Sequence, residues 1–218
     1  MVSRRAFTIG MAAGSLLPGF AQAEASGPTA LNIYLDGKQV GVFGIALTRS
    51  AGELRAEVDI DISLRGFAGI PLYTYALSSK EIWKGGLLQS MASDVRKGSK
   101  TQRVEVGRVG SKLLVQSEKF TGEAPSKSGT SSYFSQDLLD RKIWINSDNG
   151  ELLEMASKRE RRVDIGGQEF VEFSTSGGLE TRVFYTDDGR FGGAIFDVKG
   201  RQAQILPGDV SSVKASLT

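Results

Sequence analysis

Residues 54–65 sort their side chains by parity. Leu54, Ala56, Val58, Ile60, Ile62 and Leu64 are apolar, while Arg55, Glu57, Asp59, Asp61, Ser63 and Arg65 between them are polar or charged. A helix of 3.6 residues per turn would scatter both sets around its axis; a strand puts one set on a dry face and the other on a wet face. The pattern therefore predicts a long strand with one buried side. Comparable runs predict strands over 31–34, 40–48, 70–83, 87–95, 102–109, 112–120, 151–164, 168–175, 179–186, 190–198 and 201–206. Turn dipeptides such as Asp36-Gly37, Gly85-Gly86, Gly166-Gly167 and Lys199-Gly200 separate them. Connections this short make sequential neighbours antiparallel.

One stretch breaks the series. Residues 121–132 (Thr-Gly-Glu-Ala-Pro-Ser-Lys-Ser-Gly-Thr-Ser-Ser) are small and polar without apolar periodicity, which predicts a mobile loop. Ser135 ahead of Asp137, Leu138 and Leu139 suits one short helical turn. About twelve strands in one chain would expose edges as a flat sheet. The expected fold is all-β: a single antiparallel meander, curved into a half-barrel or barrel, with one short helix and the mobile loop.

The N-terminus follows a different logic. Ser3-Arg4-Arg5-Ala6-Phe7 is cationic, Thr8 to Phe20 is weakly apolar, and Ala21-Gln22-Ala23 offers a small-residue cleavage site. That order predicts an export signal over 1–23 and a single domain over 24–218. Paired arginines flanked by Ser and Phe, with Gly10 and Gly14 behind, resemble the twin-arginine consensus, although Thr8-Ile9 departs from its usual Leu-Lys ending. An ordinary secretory signal is the alternative. The expected location is periplasmic or secreted, with the twin-arginine translocase as partner during export.

Removal of 1–23 takes away Arg4 and Arg5 and no acid, so Lys plus Arg falls by two from 27 to 25 and equals the 25 Asp plus Glu. A neutral domain gives no electrostatic case for nucleic acid. No mature stretch is long and apolar enough to span a bilayer as a helix. With neither cysteine nor histidine, the chain lacks disulfides, thiolate metal sites, a cysteine nucleophile, a Ser-His-Asp triad and the commonest metal ligand. No metal or other cofactor is implied.

Several local motifs resemble a family of uncharacterised exported bacterial proteins that carry a domain of unknown function. They are Tyr34-Leu35-Asp36-Gly37 with Val40-Gly41, Glu81-Ile82-Trp83-Lys84-Gly85-Gly86-Leu87, and Thr130-Ser131-Ser132-Tyr133 followed by Leu138-Leu139. Ser147-Asp148-Asn149-Gly150-Glu151-Leu152 and Phe184-Tyr185-Thr186-Asp187-Asp188-Gly189-Arg190-Phe191 complete the set. Tyr133-Phe134-Ser135 stands where that family usually has Trp-Asn after the Thr-Ser pair. The resemblance implies a curved antiparallel sheet like that of periplasmic lipoprotein carriers, which hold acyl chains in a half-barrel. It supplies no catalytic residues, and fold alone does not fix function.

Candidate sites follow from parity. Tyr73, Tyr75 and Trp83 share one phase of a strand and would line a ligand cavity, or else pack across strands. Glu81 points to the same side; a carboxyl among aromatics can act as an acid, and as a rim residue it would pair with a cation. Arg159 and Arg161 share a phase with Leu153, Met155, Val163 and Ile165, so they would anchor an anionic head group, or block edge pairing. Tyr133 and Trp144 flank the polar loop and would form a lid or a tether.

These features predict a non-enzymatic binding or carrier protein for an apolar or amphipathic, lipid-like molecule. Two alternatives stand beside it: a metal-free carboxylate enzyme around Glu81, which needs a second carboxyl about 5 to 10 Å away, and a structural partner in the cell envelope.

Overall fold

The computed structural model describes residues 24–66 and 69–208; the expected export signal lies outside them. Fifteen strands form one sheet: β1 (Glu24–Leu35), β2 (Lys38–Ser50), β3 (Glu53–Arg65), β4 (Pro71–Lys84), β5 (Leu87–Lys97), β6 (Lys100–Val109), β7 (Lys112–Ser117), β8 (Thr121–Pro125), β9 (Gly129–Thr130), β10 (Ile143–Ile145), β11 (Leu152–Ile165), β12 (Gln168–Gly177), β13 (Thr181–Tyr185), β14 (Phe191–Val198) and β15 (Arg201–Leu206). β1 to β8 run outward in chain order as one arm, β15 back to β9 form the other, and the arms join where β1 pairs with β15. The sheet curls without closing, with β8 and β9 as its edges.

Turn chemistry fixes the register. Asp36-Gly37 and Lys199-Gly200 both take positive φ at their two central positions, the left-handed pair whose twist matches that of a hairpin. Each is followed in register by the strand it launches: Leu35 pairs with Lys38, and Val198 with Arg201. The alternation of 54–65 then decides which face is inside. Ala56 and Val58 are buried, whereas Glu57 and Asp59 are exposed.

The strand count exceeds the expected twelve by β8, β9 and β10. All three come from the region around the segment predicted to be a mobile loop, and that expectation is corrected here. Thr121–Pro125 is an edge strand, and Ser128, Thr130 and Ser132 are buried. The chain from Ser126 to Glu151 enters the curve of the sheet and fills it. Phe134, Leu138, Leu139, Trp144 and Ile145 join Phe43, Val58, Met91, Val106, Val183 and Ile205 of the sheet in one core. The predicted short helix is a 3-10 turn, Gln136–Asp140, capped by Ser135.

The loop expectation failed because this segment is buried by hydrogen bonding rather than by an apolar period. Ser128 Oγ donates to the Pro125 carbonyl at 2.9 Å, Thr130 and Ser132 hydroxyls pair at 2.7 Å, and Ser131 Oγ accepts from the Ser147 amide at 2.9 Å. Small hydroxyl residues let the backbone approach the sheet closely while leaving few donors unpaired.

Candidate functional site

β4 carries the candidate residues from one end of the curved sheet to the other. Its odd positions face inward as parity predicts, and its pairing with β3 keeps register from Tyr73 opposite Leu64 to Trp83 opposite Leu54. At about 3.4 Å per residue, however, Tyr75 and Trp83 stand about 27 Å apart. They belong to two separate places.

At the first end, where Leu35, Lys97 and Val198 lead into their hairpin turns, lies an open chamber of ≈ 600 Å³. Its walls are apolar, with Val40, Ile60, Ile62, Leu64, Phe196 and Ile205. Tyr73 and Tyr75 line it from β4, while Lys97, Lys199 and Arg201 bring positive charge. The floor is set by the filling segment. Asp148 accepts from the Tyr75 hydroxyl at 3.0 Å and from Lys97 Nζ at 2.5 Å, and Gln102 donates to the Asp148 carbonyl. Burial, reinforced by the Asp148 charge, raises the Tyr75 pKa, so its phenol stays neutral and remains a donor. Arg201 is paired with Asp36 at 2.7 Å, whereas Lys199 makes no ion pair among the described residues.

Glu81 lies deeper, 1% exposed, between the chamber and the opposite end. Oε2 accepts from Trp83 Nε1 at 2.8 Å and from Thr130 Oγ1 at 3.0 Å, while buried Oε1 has no partner. Desolvation pushes its pKa up to about 7 against the lowering pull of the Trp83 hydrogen bond and of the Ser132–Thr130 hydroxyl pair. No neighbouring charge drives that shift. Ser79 and Ser93, directly opposite one another on β4 and β5, also hold buried hydroxyls without partners. The site is a buried carboxyl locked to the filling segment and sealed from solvent, with burial favouring its protonated form up to about pH 7.

Trp83, at the far end, is buried beneath Phe134, with ring centroids 5.8 Å apart and nearly perpendicular. A groove of ≈ 540 Å³ runs past it, lined also by Leu54, Asp137 and Arg141. Tyr133 and Trp144 are tethers. Their rings meet edge to face at 5.3 Å, Tyr133 approaches Phe191 at 6.2 Å, and Trp144 Nε1 donates to the Leu138 carbonyl at 3.0 Å. Tyr133 takes φ of 58°, a left-handed conformation that costs a bulky residue of the order of 1–3 kcal/mol. The Tyr185 hydroxyl donates to its carbonyl at 3.1 Å and holds it there.

Arg159 and Arg161 do not form a pair at the chamber mouth. The pairing of β11 with β12 shifts between Arg159, opposite Phe173, and Arg162, opposite Val171, so a bulge breaks the parity that placed them together. Arg161 reaches Glu172 at 3.1 Å, which Arg182 also contacts at 2.5 Å. Beyond Glu154, β11 has no strand partner on its outer side among the described residues. The run Lys158-Arg159-Glu160-Arg161-Arg162, together with the bulge, suits protection of that free edge.

Sequence reasoning missed Asp148, Lys97 and Lys199. Asp148 lies in an Asn-Ser-Asp-Asn-Gly turn, where an acid ordinarily reads as solvated, and only the entry of 126–151 into the sheet turns it toward Tyr75.

No curated protein matches the chain. Among solved structures, the crystal structure of a beta-barrel-like protein of the domain of unknown function DUF1849 from Brucella abortus shares this architecture, with a TM-score of 0.59 over 84% of this chain and 95% of that chain. At 8% identity the likeness is one of fold. Among the described residues no helix is long and apolar enough to cross a membrane. A family profile covers residues 31–207, nearly the whole of the curved sheet, and on that match the chain belongs to DUF6134, a domain of unknown function.

Proposed function

We propose that the protein is a non-enzymatic binding or carrier protein, working outside the cytoplasm, that shelters the apolar part of an amphipathic molecule in the chamber between Tyr75 and Lys199. The observation that carries this reading is the chamber itself: ≈ 600 Å³ of open apolar volume, within the range of small-molecule sites, beside an interior that is otherwise filled by residues 126–151. Apolar walls would take a hydrocarbon or aromatic body, and the Lys199 ammonium would meet its polar end, while the Tyr75 phenol, whose hydrogen is donated to Asp148, would offer only an acceptor there. Export is supported by the 1–23 pattern alone.

Native mass spectrometry of the purified protein, with solvent extraction of any bound mass, tests the reading directly. Binding of 1-anilinonaphthalene-8-sulfonate, an anionic apolar probe, should be saturable in the native protein. Ile62→Glu, which puts a carboxylate on the chamber wall, should lower its affinity at least tenfold while thermal unfolding stays cooperative. A purified mass equal to the polypeptide, together with equal probe binding by both proteins, would refute the proposal.

A further inference from the structure

We infer that the chamber end of the protein docks on an anionic lipid bilayer, through a lip made by the start of β4 and the β14–β15 hairpin. Among the described residues large apolar side chains are exposed at few places, and several of them gather here. Ile70 is 62% exposed, Leu72 73%, Tyr73 44% and Val198 42%. Ile70, Leu72 and Tyr73 are near neighbours in sequence at the start of β4; Tyr73 turns into the chamber and Leu72 to the outer face, so apolar surface continues from the chamber wall over its rim. A rim wetted on all sides would gain nothing from this. A rim pressed against a hydrocarbon boundary buries it.

Charge selects the kind of bilayer. Arg65, at the end of β3, contacts the Gly69 carbonyl and makes no ion pair among the described residues, and the same holds for Lys199. Lys97 and Arg201 add two further cations, each neutralised by one acid, Asp148 and Asp36. The remaining nearby acid on the hairpin, Asp197, accepts from the Gly200 amide at 2.7 Å within its own turn. The named cations Arg65, Lys97, Lys199 and Arg201 outnumber the acids Asp36, Asp148 and Asp197 by one, and neither Arg65 nor Lys199 is held in an ion pair among the described residues, so the lip sets free cationic side chains beside its apolar tips, the combination that binds anionic headgroups at the interfacial level. The tips insert shallowly, Arg65 and Lys199 meet lipid phosphates, and the chamber opens onto the bilayer. The inference extends the binding-protein reading by naming where the cargo is exchanged, but the docking surface is tested apart from any cargo.

The absence of native cysteine makes the test local. Leu72→Cys labelled with the polarity-sensitive fluorophore bimane reports on the lip, and Val109→Cys, exposed at the opposite end of β6, is the control. Both are made in the full chain, so residues 1–23 contribute equally. With phosphatidylglycerol vesicles, bimane at 72 should shift to the blue and be quenched by lipids brominated on the acyl chain; with phosphatidylcholine vesicles, or at position 109, it should not. Arg65→Glu with Lys199→Glu should weaken the vesicle dependence at least tenfold. No shift at position 72 with anionic vesicles, or an equal shift at 109, would overturn the inference. A shift at 72 in a protein that binds no probe and carries no cargo would leave the docking surface standing and remove the carrier reading.

Discussion

Replacing Glu81 by glutamine tests the central physical claim about the interior, that a carboxyl is buried there in its neutral form. Oε2 already accepts two hydrogen bonds and Oε1 none, so the proton belongs on Oε1. An amide reproduces that arrangement, with its oxygen at the Oε2 position and its NH2 at Oε1. Desolvation raises the pKa from 4.5 to about 7. A tenfold change in a proton equilibrium is worth about 1.4 kcal/mol, so ionising Glu81 in the folded chain costs about 3 kcal/mol more than in the unfolded one.

The sign follows from proton counting. Below pH 4.5 both states hold the proton and nothing changes. Between 4.5 and about 7 only the folded state holds it, so stability falls by about 1.4 kcal/mol for each pH step. Above about 7 the loss is complete. Urea unfolding, followed by the fluorescence of Trp83 and Trp144 at pH 5, 6, 7 and 8, gives the stability of both proteins. Subtracting Glu81→Gln from the native protein removes every other titrating group that the two share. That difference should move by about 2 to 3 kcal/mol in favour of the variant between pH 5 and pH 8. A difference constant within about 0.5 kcal/mol, a small change on the scale of a typical mutation, would show that Glu81 is either hydrated or compensated by a cation, and the neutral buried carboxyl would have to be abandoned.

Two further predictions concern the two ends of the chain's history. Asp148→Ala removes acceptors from the Tyr75 phenol and from Lys97, and should cost about 2 kcal/mol and raise proteolytic cutting near 146–150; unchanged stability and cutting would mean the contact does not hold the filling segment. Arg4→Lys with Arg5→Lys should strand the precursor in the cytoplasm by cell fractionation, whereas normal processing and release would exclude the twin-arginine route.

The sheet was legible because its strands are dry on one face. In β3 the parity of Leu54 to Leu64 survives in the folded chain, since no bulge interrupts its pairing with β2 between Gly41 and Ser50. Parity failed where pairing slipped. Arg159 and Arg161 share a phase in the sequence but straddle the bulge in β11. Parity also says nothing of distance, so Tyr75 and Trp83 share a face while standing at opposite ends of β4. The filling segment was illegible for another reason. Ser128, Thr130 and Ser132 are buried with their hydroxyls paired, a state with no period to detect. Lys199 acquires its place only through the β1–β15 seam, which joins residues far apart in sequence.

Glu81 then has an explanation that does not require catalysis. A segment of small hydroxyl residues entering a curved sheet could slide along it, because its packing is weakly shaped. A carboxyl whose Oε2 accepts simultaneously from Trp83 of the sheet and Thr130 of the segment keeps both bonds in one alignment. Sliding by one residue would leave a buried oxygen without its donor, at a cost of about 1–3 kcal/mol. The same alignment brings Asp148 beneath Tyr75 and Lys97 and so sets the depth of the chamber. The polar pin and the apolar chamber are thus coupled: the first fixes where the filling segment stops, and the second is the part of the interior that it leaves open.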